Sequence, residues 1–143
     1  MPSFVEMSFF DFEMTYWRER KRPNLLMVHY NDLKADLEGE IGRISAFLEI
    51  DTPPARLAEI AEAARFDNMK AQGVDLLPTV QQLFQGGSQR FLNKGTNGRW
   101  KDTLTAEDLA RFDKLTHAKF TPAARAWIEG GRLAAGDPVG LAD

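Results

Sequence analysis

Most of the chemistry that this 143-residue chain suggests lies in one stretch, Asn93-Lys94-Gly95-Thr96-Asn97-Gly98-Arg99-Trp100-Lys101-Asp102-Thr103-Leu104-Thr105. Four basic residues and no acid lie between Arg90 and Lys101, although the whole chain has a net charge of -3. The glycines allow positive φ and a close approach of the backbone, so that successive N–H groups can surround an anion. The residues predict a phosphate- or sulfate-binding loop, and the alternative is a basic, solvated loop.

The composition is that of an ordinary globular protein and excludes several other classes. Of the residues, 43% are apolar and 27% are charged, and the chain contains no cysteine. It therefore has no disulfide framework, no thiolate nucleophile and no cysteine-ligated metal. Its acidic balance argues against a nucleic-acid partner, and no apolar run approaches the roughly 18 residues of a membrane span. We expect a cytoplasmic protein with one domain over residues 1–135 and a frayed tail over 136–143.

One apolar run interrupts a sequence that is otherwise rich in helical signals. Phe10, Met14 and Trp17 recur at helical spacing and predict a helix over residues 8–20. The continuous apolar run at about 24–30 is short and is followed by turn residues, so we predict a buried strand there.

Downstream of that run the sequence predicts further helices and one long loop. Asp32 is the predicted N-cap of a helix whose apolar stripe reaches Leu48. Three more helix starts are predicted, at Thr52-Pro53-Pro54, Thr105 and Thr121. Residues 73–99 contain five glycines and no sustained periodicity, which predicts a long functional or disordered loop.

The tryptophans and histidines have ordinary structural explanations. Trp17, Trp100 and Trp127 fit core positions better than base-stacking platforms, since burial of a large ring is strongly stabilising. His29 is predicted to be at least half-buried with a backbone partner, and His117 is predicted on the surface. Two histidines without a carboxylate cluster do not predict a zinc site.

In order and spacing, residues 93–105 resemble the C-terminal signature of the cytosolic-type sulfotransferases, which use PAPS (3′-phosphoadenosine-5′-phosphosulfate). That signature reads Arg-Lys-Gly-x-x-Gly-(Asp/Asn)-Trp-Lys-(Asn)-x-(Phe)-Thr. Six of its fixed positions agree here: Lys94, Gly95, Gly98, Trp100, Lys101 and Thr105. The resemblance implies that the 3′-phosphate of PAPS, or of adenosine 3′,5′-bisphosphate, is bound by Lys94, Gly95, Thr96, Asn97 and Gly98.

Other segments resemble the family in the same order, so that the resemblance covers roughly residues 8–135. The segment from His29 to Lys34 is similar to the family's Tyr-Glu-Asp-Leu-Lys, which implies that Tyr30 lies near the adenine. The segment from Phe66 to Lys70 is similar to Phe-x-x-Met-Lys, which implies that Phe66 packs on the adenine with Met69 nearby. The implied fold class is α/β, the C-terminal part of the P-loop-containing sulfotransferase three-layer fold, mostly helical here with one strand.

The departures from the family pattern concern the phosphate contacts and the catalytic machinery. Asn93 stands where the family has an arginine, which removes a bidentate phosphate contact. The family's Lys-Ser-Gly-Thr segment, which binds the 5′-phosphosulfate of PAPS, and its catalytic histidine have no counterpart in this sequence. We therefore predict no catalytic residue and no metal ligand here. We expect a truncated chain that is inactive alone and that forms a homo-oligomer or binds a partner chain covering the missing half.

Three functions remain open at this point. The chain is part of a transferase that moves a sulfuryl group from PAPS to the hydroxyl or amine of an unknown small-molecule acceptor. Alternatively, it is a non-catalytic remnant that binds the donor without turnover. The third possibility is a helical interaction module that binds no nucleotide.

Overall fold

The computed structural model describes residues 8–143 of the chain. Within that range the chain forms eleven α-helices and one 3₁₀ helix, and no residue belongs to a β-strand. The chain divides into two compact units. Unit 1 combines residues 8–40 with residues 104–143, and unit 2 is Ile41–Thr103. The prediction of one domain over residues 1–135 stays a prediction.

Most of the helices are short, and α3 contains the boundary between the two units. In chain order they are α1 Phe9–Glu19, α2 Tyr30–Ala35, α3 Leu37–Phe47, α4 Pro54–Ala63, α5 Phe66–Ala71, α6 Gly73–Leu76, α7 Val80–Leu83, α8 Gly87–Phe91, α9 Ala106–Lys119, α10 Pro122–Gly130 and α11 Arg132–Ala135. The 3₁₀ helix, Arg99–Asp102, lies between α8 and α9. No helix among the described residues is long and apolar enough to cross a membrane.

Helix α1 confirms the first predicted helix. The hydroxyl of Ser8 accepts a hydrogen bond from the backbone N–H of Asp11 at 3.2 Å, which satisfies one of the free donors at the helix start. The Ser8 hydroxyl also donates to the Asp11 carboxylate. This bond, together with the ammonium of Lys119 at 3.1 Å, lowers the pKa of Asp11. Helix α1 is thereby linked to α9 within unit 1.

The predicted strand at about residues 24–30 is wrong. Residues 25–29 belong to no helix or strand, and Tyr30 already begins α2. A strand exists only through hydrogen bonds to a neighbour, and no other described segment pairs with this one. The apolar run is instead a half-buried connector within unit 1.

The single helix predicted after Asp32 is in fact two helices, α2 and α3, which are separated at Asp36. The carboxylate of Asp36 accepts a hydrogen bond from the backbone N–H of Gly39 at 3.0 Å, at the start of α3. The start of α2 is capped by His29, whose Nδ1 accepts from the backbone N–H of Asn31 at 3.1 Å. The prediction that Asp32 caps its own helix is therefore wrong.

Asp32 instead caps a helix that is distant in the sequence. Its side chain is buried, and its two carboxylate oxygens accept hydrogen bonds from the backbone N–H groups of Arg132 at 2.7 Å and Leu133 at 3.0 Å. These are the free donors at the first turn of α11. The guanidinium of Arg132 also pairs at 2.6 Å with the buried carboxylate of Glu40. Both acids thus anchor the C-terminal part of unit 1.

Two predicted helix starts carry the side-chain caps that their sequences predicted. At the start of α9 the Thr105 hydroxyl accepts from the backbone N–H of Asp108 at 3.2 Å, and the Asp108 carboxylate accepts from the backbone N–H of Thr105 at 2.9 Å. This reciprocal arrangement is a capping box. At the start of α10 the Thr121 hydroxyl accepts a single hydrogen bond, from the backbone N–H of Ala124 at 3.2 Å.

The region predicted as one long loop, residues 73–99, contains three short helices. Helix α8 contacts both α6 and α7. The contact surface is built from small residues, since Gly73, Gly87 and Ser88 are buried. Just before this region, α4 begins at Pro54 as predicted, but the Thr52 hydroxyl bonds the Ser45 hydroxyl at 2.6 Å instead of capping the helix.

The main apolar core lies in unit 1 and confirms two of the three predicted core tryptophans. Met14 and Trp17 of α1 pack with a cluster from the C-terminal helices: Phe120, Ala124 and Trp127. The rings of Trp17 and Trp127 lie 6.2 Å apart between centroids. The prediction for Trp100 is wrong, because this residue lies in the 3₁₀ helix of unit 2 with 49% of its surface exposed.

The last residues of the chain make specific contacts with α1. The buried guanidinium of Arg20 donates to the backbone carbonyls of Pro138 at 2.8 Å and Leu141 at 2.9 Å. The indole N–H of Trp17 donates to the carboxylate of Asp143 at 2.8 Å. This bond, followed by the bond from Arg20, lowers the pKa of Asp143. The segment predicted as a frayed tail therefore has defined partners in the structure.

Unit 2 has a much thinner core than unit 1. Ala61 is the one buried apolar side chain among its described residues. Several large apolar side chains of α6, α7, α8 and their connections are exposed: Val74, Leu76, Leu83, Phe84 and Phe91. Its folded form thus depends on close contacts between backbone and small residues, and on hydrogen bonds.

Candidate functional site

The loop that precedes the 3₁₀ helix has the backbone conformation that its glycines predicted. Gly95 has φ 58° and Gly98 has φ 78°, so both adopt the left-handed region that other residues rarely enter. Residues 93–98 form no helix. We refer to Asn93–Gly98 as the phosphate loop, after its predicted role.

The ring of Phe66 packs directly on the phosphate loop. A methyl group added at Gly95 would lie 2.6 Å from two of the ring carbons of Phe66, well inside van der Waals contact. Only glycine therefore fits at this position, because of both its φ and its neighbour. The structure thus brings together Phe66 of α5 and Gly95, two of the predicted binding residues, within unit 2.

A second contact joins α5 to the loop, and it involves a residue to which the sequence assigned no role. The ammonium of Lys70 donates a hydrogen bond to the backbone carbonyl of Asn93 and lies 5.9 Å from the ring centroid of Phe66. The side-chain amide of Gln89 in α8 donates to the carbonyl of Lys70 at 3.0 Å. The signal in the sequence was the match of Lys70 to the Phe-x-x-Met-Lys pattern.

The other predicted binding residues of unit 2 differ in how far their side chains are exposed. Lys94, Thr96 and Asn97 are exposed, and Met69 on α5 is half-buried. Lys94 forms no ion pair with any residue from 8 to 143, so no described acid neutralises its charge. A cation and left-handed glycines therefore share one exposed loop, which is an arrangement suited to an anion.

Tyr30 lies in unit 1, whereas the phosphate loop belongs to unit 2. It is the first residue of α2, and it lines an apolar groove of about 440 Å³. Other walls of this groove come from α1, from the connector 25–29 and from α10, and include Phe9, Tyr16, Met27 and Trp127. The predicted role of Tyr30 near an adenine stays a prediction.

The two histidines occupy the positions that the sequence predicted. His29 is half-buried, and its Nε2 hydrogen-bonds the backbone carbonyl of Ile128 at 2.8 Å. His117 is exposed on α9, with its Nδ1 2.9 Å from the carbonyl of Asp113. The carboxylate of Asp113 pairs with Arg125 at 2.6 Å, and this bond lowers its pKa. Among residues 8–143 no cluster of histidines and carboxylates is arranged to hold a metal ion.

Comparison with known proteins assigns the chain to a family. A model of the sulfotransferase domain matches residues 5–123. The chain belongs to the sulfotransferase family. This assignment confirms the resemblance that the motif at residues 93–105 predicted.

Individual sulfotransferases match most of this chain but a smaller part of their own length. The chain is 29% identical over 118 residues to the glycolipid sulfotransferase of Mycobacterium tuberculosis, which is 82% of this chain and 36% of that protein. It is 36% identical over 105 residues to the amine sulfotransferase of Oryctolagus cuniculus, which is 69% of this chain and 34% of that protein. The chain thus spans about a third of the length of these curated relatives.

A solved sulfotransferase shares the fold. The crystal structure of mouse sulfotransferase SULT7A1 complexed with PAP matches 85% of this chain and 45% of its own chain, with a TM-score of 0.66 and 23% identity. Over this region the chain therefore has the sulfotransferase fold. The residues that the structure describes form helices and connectors, and none of them belongs to a strand.

Proposed function

We propose that this chain binds the 3′-phosphate end of the sulfuryl donor PAPS through the phosphate loop and is part of a sulfotransferase. In that role Lys94 provides the charge, and the backbone around Gly95 and Gly98 provides N–H donors. Phe66 and Met69 contribute apolar surface for the adenine. The reaction is the transfer of a sulfuryl group from PAPS to a hydroxyl or amine of an acceptor.

The observation that carries the proposal is the joint geometry of Gly95, Phe66 and Lys94. An anion bound by a protein needs donors and positive charge in one place. The phosphate loop provides both in unit 2, and Gly95, one of its two left-handed glycines, lies against the ring of Phe66, which can also contact a base. The solved relative complexed with PAP supports a nucleotide ligand of this class.

Calorimetry with adenosine 3′,5′-bisphosphate tests the proposal on three forms of the chain. A charge-assisted hydrogen bond contributes roughly 1.5–3 kcal/mol, so Lys94→Ala should weaken binding about tenfold or more. Asn93→Arg adds a bidentate donor beside Lys94 and should strengthen binding. Because the loop is exposed, affinity should also fall as the salt concentration rises.

Two outcomes would contradict this assignment. Equal affinities of the three forms would show that the nucleotide binds elsewhere. An absence of binding to all three would favour the alternative of a helical interaction module. A second lysine variant, Lys114→Ala on the exposed surface of α9, is the matched control and should bind like the unchanged chain.

A further inference from the structure

We propose that Lys70 is the second cation of the phosphate loop and donates a hydrogen bond to the phosphate that this loop binds. The proposal rests on the function proposed for the loop and adds a residue from a different helix to it. The observation that supports the proposal is the position of the Lys70 ammonium next to Asn93 in unit 2.

Lys70 is held next to the loop by contacts at both of its ends. It lies one helical turn after Phe66, so both side chains share one face of α5. Its ammonium hydrogen-bonds the carbonyl of Asn93, the first residue of the loop, and its own carbonyl accepts from Gln89. The charge is therefore fixed beside the residue that directly precedes Lys94.

The ammonium retains the capacity to bind an anion. A lysine ammonium has three N–H donors, and the bond to Asn93 uses one of them. No described carboxylate forms an ion pair with Lys70, and the sequence contains no acid between residues 76 and 101. Asn93 itself carries no charge. A phosphate at the loop would thus meet two ammonium groups, Lys94 from the loop and Lys70 from α5. Residues 93–98 alone contain only the first of these.

The test compares Lys70→Met and Lys70→Arg with the unchanged chain. Methionine is a long, unbranched side chain that removes the charge, whereas arginine keeps the charge. We expect Lys70→Met to bind adenosine 3′,5′-bisphosphate about threefold to tenfold more weakly, and Lys70→Arg to restore most of the affinity. The dependence of affinity on salt should become shallower in Lys70→Met, because one cation fewer contacts the ligand.

Adenosine 5′-phosphate distinguishes a contact with the 3′-phosphate from a general effect on folding. Its affinity should be the same for Lys70→Met and the unchanged chain, and Lys114→Met is the matched control. Equal loss for both ligands with an unchanged salt dependence would show a purely structural role and overturn the inference. Unchanged binding of the bisphosphate by Lys70→Met would overturn it while the proposed function stands. If the unchanged chain binds no bisphosphate, both proposals fail.

Discussion

Asp32 illustrates how much one side chain contributes to unit 1. A carboxylate in the first turn of a helix is usually a local, solvated cap. Here the group is buried and accepts two backbone hydrogen bonds from the start of α11, a hundred residues further along the chain. The phosphate loop shows the same dependence on single residues, since Gly95 is fitted against the ring of Phe66.

Replacement of Asp32 should destabilise unit 1. In Asp32→Ala the two part-buried N–H groups of α11 lose their acceptors, and an unsatisfied donor costs about 1–3 kcal/mol when it is fully buried. We expect the free energy of unfolding to fall by about 2 kcal/mol or more, as measured by urea denaturation. The control is Asp51→Ala, which removes an exposed acid. This variant should change the free energy of unfolding by less than about 0.5 kcal/mol. Equal stability of the two variants would refute the cap.

Gly95→Ala should disrupt the phosphate loop. A residue with a Cβ in the left-handed region costs about 1–2 kcal/mol, and the added methyl would also displace the ring of Phe66. We expect lower stability and about fivefold to thirtyfold weaker binding of adenosine 3′,5′-bisphosphate, in rough proportion to that energy. Gly42→Ala is the matched control, because Gly42 lies in helix α3, where an added methyl would make only an ordinary contact with Leu57 at 3.7 Å. The stability of Gly42→Ala should equal or exceed that of the unchanged chain. A similar loss of stability and binding in both variants would contradict this explanation.

At the scale of elements, helix starts govern the structure more than apolar periodicity does. Helix α9 has 14 residues, and only Thr116 of its side chains is buried. Its capping box and its charged contacts to neighbouring helices therefore carry much of its stability. One of these groups, Asp108, has a lowered pKa, mainly because the Thr105 hydroxyl and then the Thr105 backbone N–H donate to its carboxylate.

This lowered pKa predicts how the contribution of Asp108 depends on pH. The pKa in the folded chain lies below the unfolded value of about 3.9. The stabilisation is therefore fully present above that value and is lost as the pH falls through the folded pKa. The difference in unfolding midpoint between the unchanged chain and Asp108→Ala should be constant near neutrality and should shrink below about pH 4. Helix content measured by circular dichroism provides the readout.

The control for this experiment is Asp51→Ala, which removes an exposed acid outside any helix. The midpoint difference of this variant should be small at every pH. A constant difference for Asp108→Ala down to pH 2 would mean that the ionised carboxylate does not cap α9.

Sequence reasoning succeeded where the signal was local and failed where a distant residue decided the outcome. The caps of α9 and α10 involve residues three positions apart, and both were predicted. The connector at residues 25–29 was predicted as a strand because its composition is apolar, but pairing needs a neighbour that composition does not supply. In the site, the glycine conformations were predictable from the motif, whereas the contact between Lys70 and Asn93 joins residues 23 positions apart.

At the scale of the whole molecule, the surface contains apolar features that favour association. The groove of unit 1 is lined by aromatic and aliphatic side chains from α1, the connector and α10. Phe9 and Tyr16 on its walls are each about half exposed. Exposed apolar patches rimmed by polar residues are typical of interaction sites, and the connector beside them has no strand partner among the described residues.

We therefore predict that the chain associates with itself at micromolar concentrations. The double variant Phe9→Ser with Tyr16→Ser should weaken this association, because it removes two apolar walls of the groove. Sedimentation velocity over a range of concentrations measures it directly. Val139→Ser, an exposed apolar residue that does not line the groove, is the control and should associate like the unchanged chain. A monodisperse, compact monomer of the unchanged chain would contradict the prediction.

The core of unit 1 also has a consequence for the order of events during translation. Met14 and Trp17 pack against Phe120, Ala124 and Trp127, which are synthesised roughly a hundred residues later. At about 5–20 residues per second, α1 is synthesised about 5–20 s before these core partners. All of unit 2 emerges within this interval and can fold on its own contiguous segment. Apolar surface that waits for its partners favours misassembly during synthesis, so the order of synthesis, and not only the final packing, bears on how α1 is incorporated into the core of unit 1.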